Sequence, residues 1–132
     1  GMLLATPLQM ACVAGALGTG YLVTPHFRVG QAVVRKELKI SAADWAVVRE
    51  GLRMVVDGGT GRRGGEGVGV SVSGKTGTAE VGVGEKKRKN TWFIAYAPSE
   101  NPMVAIAMVI ENGQSGGGTT APKVAEVLKA VF

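Results

Sequence analysis

Val68, Val70 and Val72 alternate with Gly69, Ser71 and Ser73, a two-residue period that sets the valines on one side of an extended chain and the small residues on the other. The pattern runs on through Lys75-Thr76-Gly77-Thr78-Ala79-Glu80-Val81, so the sequence predicts a strand over 68–81. A polar reversal, Gly82 to Lys89, follows. Two further apolar runs, Trp92 to Ala97 and Met103 to Ile110, flank Pro98-Ser99-Glu100-Asn101-Pro102, whose residues favour a hairpin turn. Three strands joined by short connections make an antiparallel meander, and the rest of the chain has to pack around it.

Helices are punctuated clearly. Thr6 can cap a helix with Pro7 at its first position and Gln9 completing a capping box, and Gly18-Thr19-Gly20 stops it near Leu17. Ser41 caps a second helix over 42–57, in which Trp45, Val48, Leu52, Val55 and Val56 recur at three- and four-residue steps. Thr119 or Thr120 opens a last helix with Pro122 in its first turn and Val124, Val127, Leu128 and Val131 on one face. Residues 21–40 read as a loop with short strands. The predicted fold class is α+β: a three-stranded antiparallel sheet with the first and last helices packed on it.

Composition narrows the function classes. Glycine fills 21 of 132 positions, against an average of about 7%, yet there is no collagen period, so the glycines act as local punctuation. The single thiol, Cys12, permits no intrachain disulfide and no multi-cysteine metal site; its apolar helical setting predicts core filler. No apolar run approaches the length of a membrane span, and Met2-Leu3-Leu4-Ala5 is too short for a signal peptide's apolar region. The chain therefore reads as soluble, and Gly1 before Met2 reads as a tag-cleavage scar. The run Glu85-Lys86-Lys87-Arg88-Lys89 sits in a predicted connection and reads as solvated charge rather than a nucleic-acid patch. His26, after Pro25, has no Ser or Asp around it and reads as a packing or surface residue. Trp92 and Ile94 share one strand face and Phe93 and Ala95 the other, predicting core on both sides.

Gly69 to Thr76 matches the GxxxxGK[ST] pattern of nucleotide-binding loops. Such a loop must follow a buried strand and open a helix, whereas these positions alternate like a strand and no helical period follows Thr76. A strand carrying Lys75, Thr76, Gly77 and Thr78 at a sheet edge offers a cation, two hydroxyls and a position without a side chain, which together suit a carboxylate.

Ser73-Gly74-Lys75-Thr76-Gly77-Thr78-Ala79-Glu80 resembles the KTG motif of penicillin-binding proteins and serine β-lactamases. Thr6-Pro7-Leu8-Gln9-Met10-Ala11 resembles the start of a helix in class B penicillin-binding proteins, and Gly59-Thr60-Gly61 the loop before their KTG strand. Trp92-Phe93-Ile94-Ala95-Tyr96-Ala97-Pro98, Val109-Ile110-Glu111-Asn112-Gly113 and Ala121-Pro122 follow in the family's order. The resemblance covers about residues 3–132 and is nearest to elongation-type transpeptidases. Asn90 departs from it, since relatives often carry His there.

The resemblance implies a piece, residues 2–132, of the penicillin-binding α/β/α transpeptidase domain. Lys75 would supply charge, Thr76 and Thr78 would bind the substrate carboxylate, Gly77 would allow close approach, and the Thr78 backbone N–H would be an oxyanion donor. The ligand would be a peptidoglycan stem peptide or a β-lactam, with no cofactor, no metal and no nucleic acid. The family's SxxK nucleophile and SxN motif are absent: no Ser here has Lys three positions later, and Ser99-Glu100-Asn101 falls after KTG in a turn. The isolated chain is therefore expected to be inactive, the remainder of the domain being a required partner, and the whole protein is expected at the bacterial inner membrane with this domain outside. The strand 103–110, which in that fold neighbours an earlier strand, is expected to pair with a second copy. A non-catalytic assembly module is the alternative, and a nucleotide-binding protein the remote one.

Overall fold

The computed structural model describes residues 4–82 and 87–132. Helix α1, Pro7–Thr19, starts with the predicted capping box: the Gln9 N–H donates to Thr6 Oγ1 at 3.2 Å and the Thr6 N–H to Gln9 Oε1 at 2.8 Å. It ends at Gly20 in the left-handed conformation, φ 86°, two residues later than the glycine punctuation suggested. The segment 21–40 forms a small antiparallel hairpin of β1, Tyr21–Thr24, and β2, Val34–Glu37. Helix α2, Ala42–Asp57, is capped by Ser41, whose hydroxyl accepts from the Asp44 N–H.

The predicted meander is present as β3, Ser73–Val81, β4, Arg88–Ala97, and β5, Val104–Glu111, in the spatial order β3-β4-β5. One boundary is corrected: 68–72 is not strand. Among the described residues the strand paired with β3 is β4, which ends at Ala97; Pro98 has no N–H to extend the ladder, and the single bond from the Ser99 N–H to the Ser71 carbonyl at 3.1 Å does not continue it. The alternation nevertheless marks real burial, for Val72 is core and Val68 and Val70 pack against it. The predicted reversal is likewise shorter, because Arg88 and Lys89 already belong to β4; Glu85 and Lys86 lie outside the described residues, while Lys87 pairs with Glu80 at 3.5 Å. The GxxxxGKT match fails as a nucleotide loop, since Gly74, Lys75 and Thr76 lie in β3 and no helix follows.

Helix α3, Ala121–Lys129, is preceded by a wide helical turn, Gly116–Thr120. Thr120 stands at the N-cap of α3 as predicted, but neither threonine gives that helix a side-chain capping bond. The Thr119 hydroxyl accepts from the Gln114 N–H, and the Thr120 hydroxyl is used inside the core.

The sheet separates two packing layers. Phe93, Ala95 and Ala97 on β4 meet Val56 of α2 and Ala121, Val124 and Leu128 of α3 in one core. On the opposite face α1 lies close, because Gly18 presents no side chain to Tyr96 and Pro102. Phe93 explains part of the glycine excess: a Cβ at Gly61, Gly64 or Gly74 would fall 2.8, 2.5 or 2.8 Å from its ring. Its faces are not equally filled, since Phe93 and Ala95 are buried while Trp92 and Ile94 are half-buried. Cys12 is half-buried rather than core, beside an apolar groove between α1 and β1.

Candidate functional site

The site forms at the outer edge of β3, which pairs with β4 and carries no second strand among the described residues. In the register, Lys75 lies opposite Ile94 and Gly77 opposite Trp92, whereas Thr76 lies opposite Phe93 and Thr78 opposite Thr91. Directly opposed residues share a face, so Lys75 stands on the α1 side and the two threonines on the α3 side. Lys75 is exposed and its Nζ donates to the Thr76 carbonyl at 2.8 Å. It borders a recess of about 270 Å³ with Met10, Trp92 and Ile94.

On the other side a cavity of about 530 Å³ is bordered by Thr60, Arg62, Arg63, Thr76, Thr78 and the turn Ser115–Gly118. Thr60 and Thr76 share a hydrogen bond between hydroxyls at 3.0 Å, and the Gly116 N–H donates to Thr78 Oγ1 at 3.4 Å. Arg63 donates from Nη1 to the Gly118 carbonyl at 3.2 Å. The turn is held by a buried relay: Thr120 Oγ1 donates to Thr91 Oγ1 at 2.8 Å, which donates to the Ile110 carbonyl at 3.2 Å. Glycine is required where the turn meets the strand, because a Cβ at Gly116 would lie 2.7 Å from the Gly77 carbonyl oxygen. The cavity lining contains two arginines and no acidic residue, an arrangement that favours an anion.

The structure thus brings Thr76, Gly77 and Thr78 together in one cavity and turns Lys75 to the neighbouring recess. Sequence reasoning did not place Thr60, Arg62, Arg63 or the Ser115–Gly118 turn at the site. The signal available was glycine density in both loops, which marks close backbone approach without saying to what. Ser99 and Glu100 are engaged elsewhere, with Ser73 and Ser71 near the start of β3.

The fold is thus an antiparallel sheet between helical layers, with Lys75-Thr76-Gly77-Thr78 on an edge strand beside a cationic cavity. The chain belongs to the penicillin-binding protein transpeptidase domain family, whose model matches residues 1–129. It is 32% identical to penicillin-binding protein 2B of Streptococcus pneumoniae over 91% of this chain and 21% of that protein. It is 33% identical to the peptidoglycan D,D-transpeptidase MrdA of Acinetobacter baumannii, over 100% of this chain and 22% of the relative. The solved penicillin-binding protein PBP2 of Helicobacter pylori superposes with a TM-score of 0.81 at 30% identity, over 100% of this chain and 26% of that one. The chain therefore spans about a quarter of the length of such relatives.

Proposed function

We propose that β3 receives the carboxylate end of a peptidoglycan stem peptide, or of a β-lactam, within a D,D-transpeptidase. The observation that carries this reading is the placement of Thr76 and Thr78 in one cavity with Arg62 and Arg63 and without an acid. The hydroxyls donate to the carboxylate, Lys75 adds positive charge from the adjoining recess, Gly77 lets the substrate backbone lie close, and the Thr78 N–H serves as an oxyanion donor. In the reaction a serine oxygen attacks the carbonyl between the two terminal D-alanines, the C–N bond breaks, and the last D-alanine leaves as its protonated amine. An acceptor amine then attacks the ester, a new amide forms and the serine regains its proton.

Among these 132 residues no Ser precedes a Lys by three positions, so the chain as it stands supplies binding without the nucleophile. We infer no acylation by fluorescent penicillin; a labelled band on a denaturing gel contradicts this. Binding has its own test: N-acetyl-D-Ala-D-Ala titrated into labelled chain should shift the amides of residues 75–78, and Thr76→Val with Thr78→Val should weaken it about tenfold. An unaltered titration overturns the carboxylate assignment.

Among the described residues no helix is long and apolar enough to cross a membrane. Because peptidoglycan is assembled outside the cytoplasm, the whole protein is placed at the outer face of the bacterial inner membrane, with the rest of the transpeptidase domain as its partner. At the opposite edge of the sheet from β3, β5 pairs only with β4 among the described residues, which supports self-association through that edge. A clean monomer in concentrated sedimentation equilibrium removes that possibility.

A further inference from the structure

The cavity beside Thr76 and Thr78 is larger than one carboxylate needs, and its cations extend beyond the threonines. Its volume of about 530 Å³ reaches across to Arg63 and the Ser115–Gly118 turn. Among the described residues neither Arg62 nor Arg63 makes an ion pair, whereas Arg53 pairs with Asp57 at 2.8 Å. Arg62 also borders a second recess that contains Asp57 and Glu66, so its charge is shared. Arg63 borders the threonine cavity, and among the described residues one of its five N–H donors is used, on the Gly118 carbonyl.

Chemistry says what reaches that space. The reverse of the first transfer step is attack on the acyl ester by the amine of D-alanine, whose carboxylate sits on the adjacent carbon. An acceptor amine attacking the same ester follows the same path, so an acceptor with a carboxylate beside its amine places that carboxylate at Thr76 and Thr78. The remainder of the acceptor peptide then continues into the cavity.

Resting on the carboxylate reading above, we propose that this cavity is the acceptor subsite and that Arg63, with Arg62 beside it, selects acceptor peptides that carry a second carboxylate. The guanidinium is tethered at one corner by Gly118 and offers its other donors as a planar fork suited to a carboxylate.

The test compares two tripeptides, L-Ala-γ-D-Glu-diaminopimelate and the counterpart in which the glutamyl α-carboxylate alone is a carboxamide. Both are titrated into the labelled chain after N-acetyl-D-Ala-D-Ala has been shown to bind. The free acid should bind about three- to tenfold more tightly, a range set by an exposed charge-assisted contact, with shifts at Arg63, Gly117 and Gly118. Arg63→Gln should bring the ratio to one, and Arg63→Lys should retain part of it, which mere loosening of the Gly118 turn would not produce. Failure of the dipeptide to bind overturns the carboxylate reading itself. Binding of the dipeptide with equal affinity for the two tripeptides, or a ratio that survives Arg63→Gln, overturns the acceptor assignment alone.

Discussion

Phe93 and Trp92 are adjacent on β4 and meet opposite surroundings. Phe93 is 0% exposed, enclosed by three glycines, α3 and Val56, while Trp92 is half-buried at the recess shared with Lys75. The α3 face is filled at the middle of the sheet and opens toward Thr76 and Thr78; the α1 face stays open at Lys75. One side fixes the strand so that the other end of it can hold hydroxyls in place, a division expected where a site depends on preorganised donors. Truncating each aromatic ring should expose the difference. Phe93→Ala should cost about 3–5 kcal/mol by creating a cavity in a filled core, and Trp92→Ala about 1–2 kcal/mol because only part of its surface leaves water. Urea unfolding of both variants checks this, and equal losses would mean that the faces are equivalent.

Overpacking attacks the same contrast from the other direction. Gly64→Ala puts a methyl group into the Phe93 ring, with a Cβ at 2.5 Å, and should cost about 1–3 kcal/mol. Gly51→Ala, on α2 with nothing within 4 Å of its Cβ, should instead stabilise by about 0.5–1 kcal/mol, because alanine is the better helix former. If the two substitutions behave alike in thermal unfolding, the glycine cup has no energetic role.

This contrast also shows what the sequence could and could not reveal. The strands, the α1 capping box and the α2 cap are written in adjacent residues, and the register of Thr76 against Phe93 follows once the hairpins form. The motif Lys75 to Thr78 was legible because its alternation and its family resemblance agree. The Phe93 cup was not legible, since Gly61, Gly64 and Gly74 come from two segments that meet only on folding. The same holds for Arg63, which reaches the site through a carbonyl 55 positions later in the chain, at Gly118. The start of β3 was misjudged because alternation records burial, whereas a strand also needs a continuous ladder, and past Ala97 the Ser99 N–H bond to the Ser71 carbonyl stands without one.

A smaller effect tests α1, the element that borders the open face. Thr6→Ala removes the hydroxyl that accepts from the Gln9 N–H and should cost about 1 kcal/mol, the usual worth of a helix cap. If α1 is a firm wall of the Lys75 recess, the loss should appear in global unfolding; a loss confined to hydrogen exchange in the first turn of α1 would show that this wall frays independently.

The smallest effect concerns the turn that closes β4 onto β5, at the end of the sheet away from Thr78. Glu100 is held below its ordinary carboxylate value of 4.5, first by the Ser71 hydroxyl, then by its own backbone N–H, with the positive charge of Arg53 adding to both. A carboxylate whose folded value is lowered contributes stability above its unfolded value and loses it as pH falls through the folded one. Wild type should therefore lose its advantage over Glu100→Gln between about pH 5 and the lowered folded value, and keep it at neutral pH. Because Glu100 is exposed, the difference should be small and shrink further in salt. A constant difference across that range would mean that the Ser71 contact leaves the carboxylate's affinity for a proton unchanged, and that this end of the sheet is held by Ser73, Ser99 and Arg53 without it.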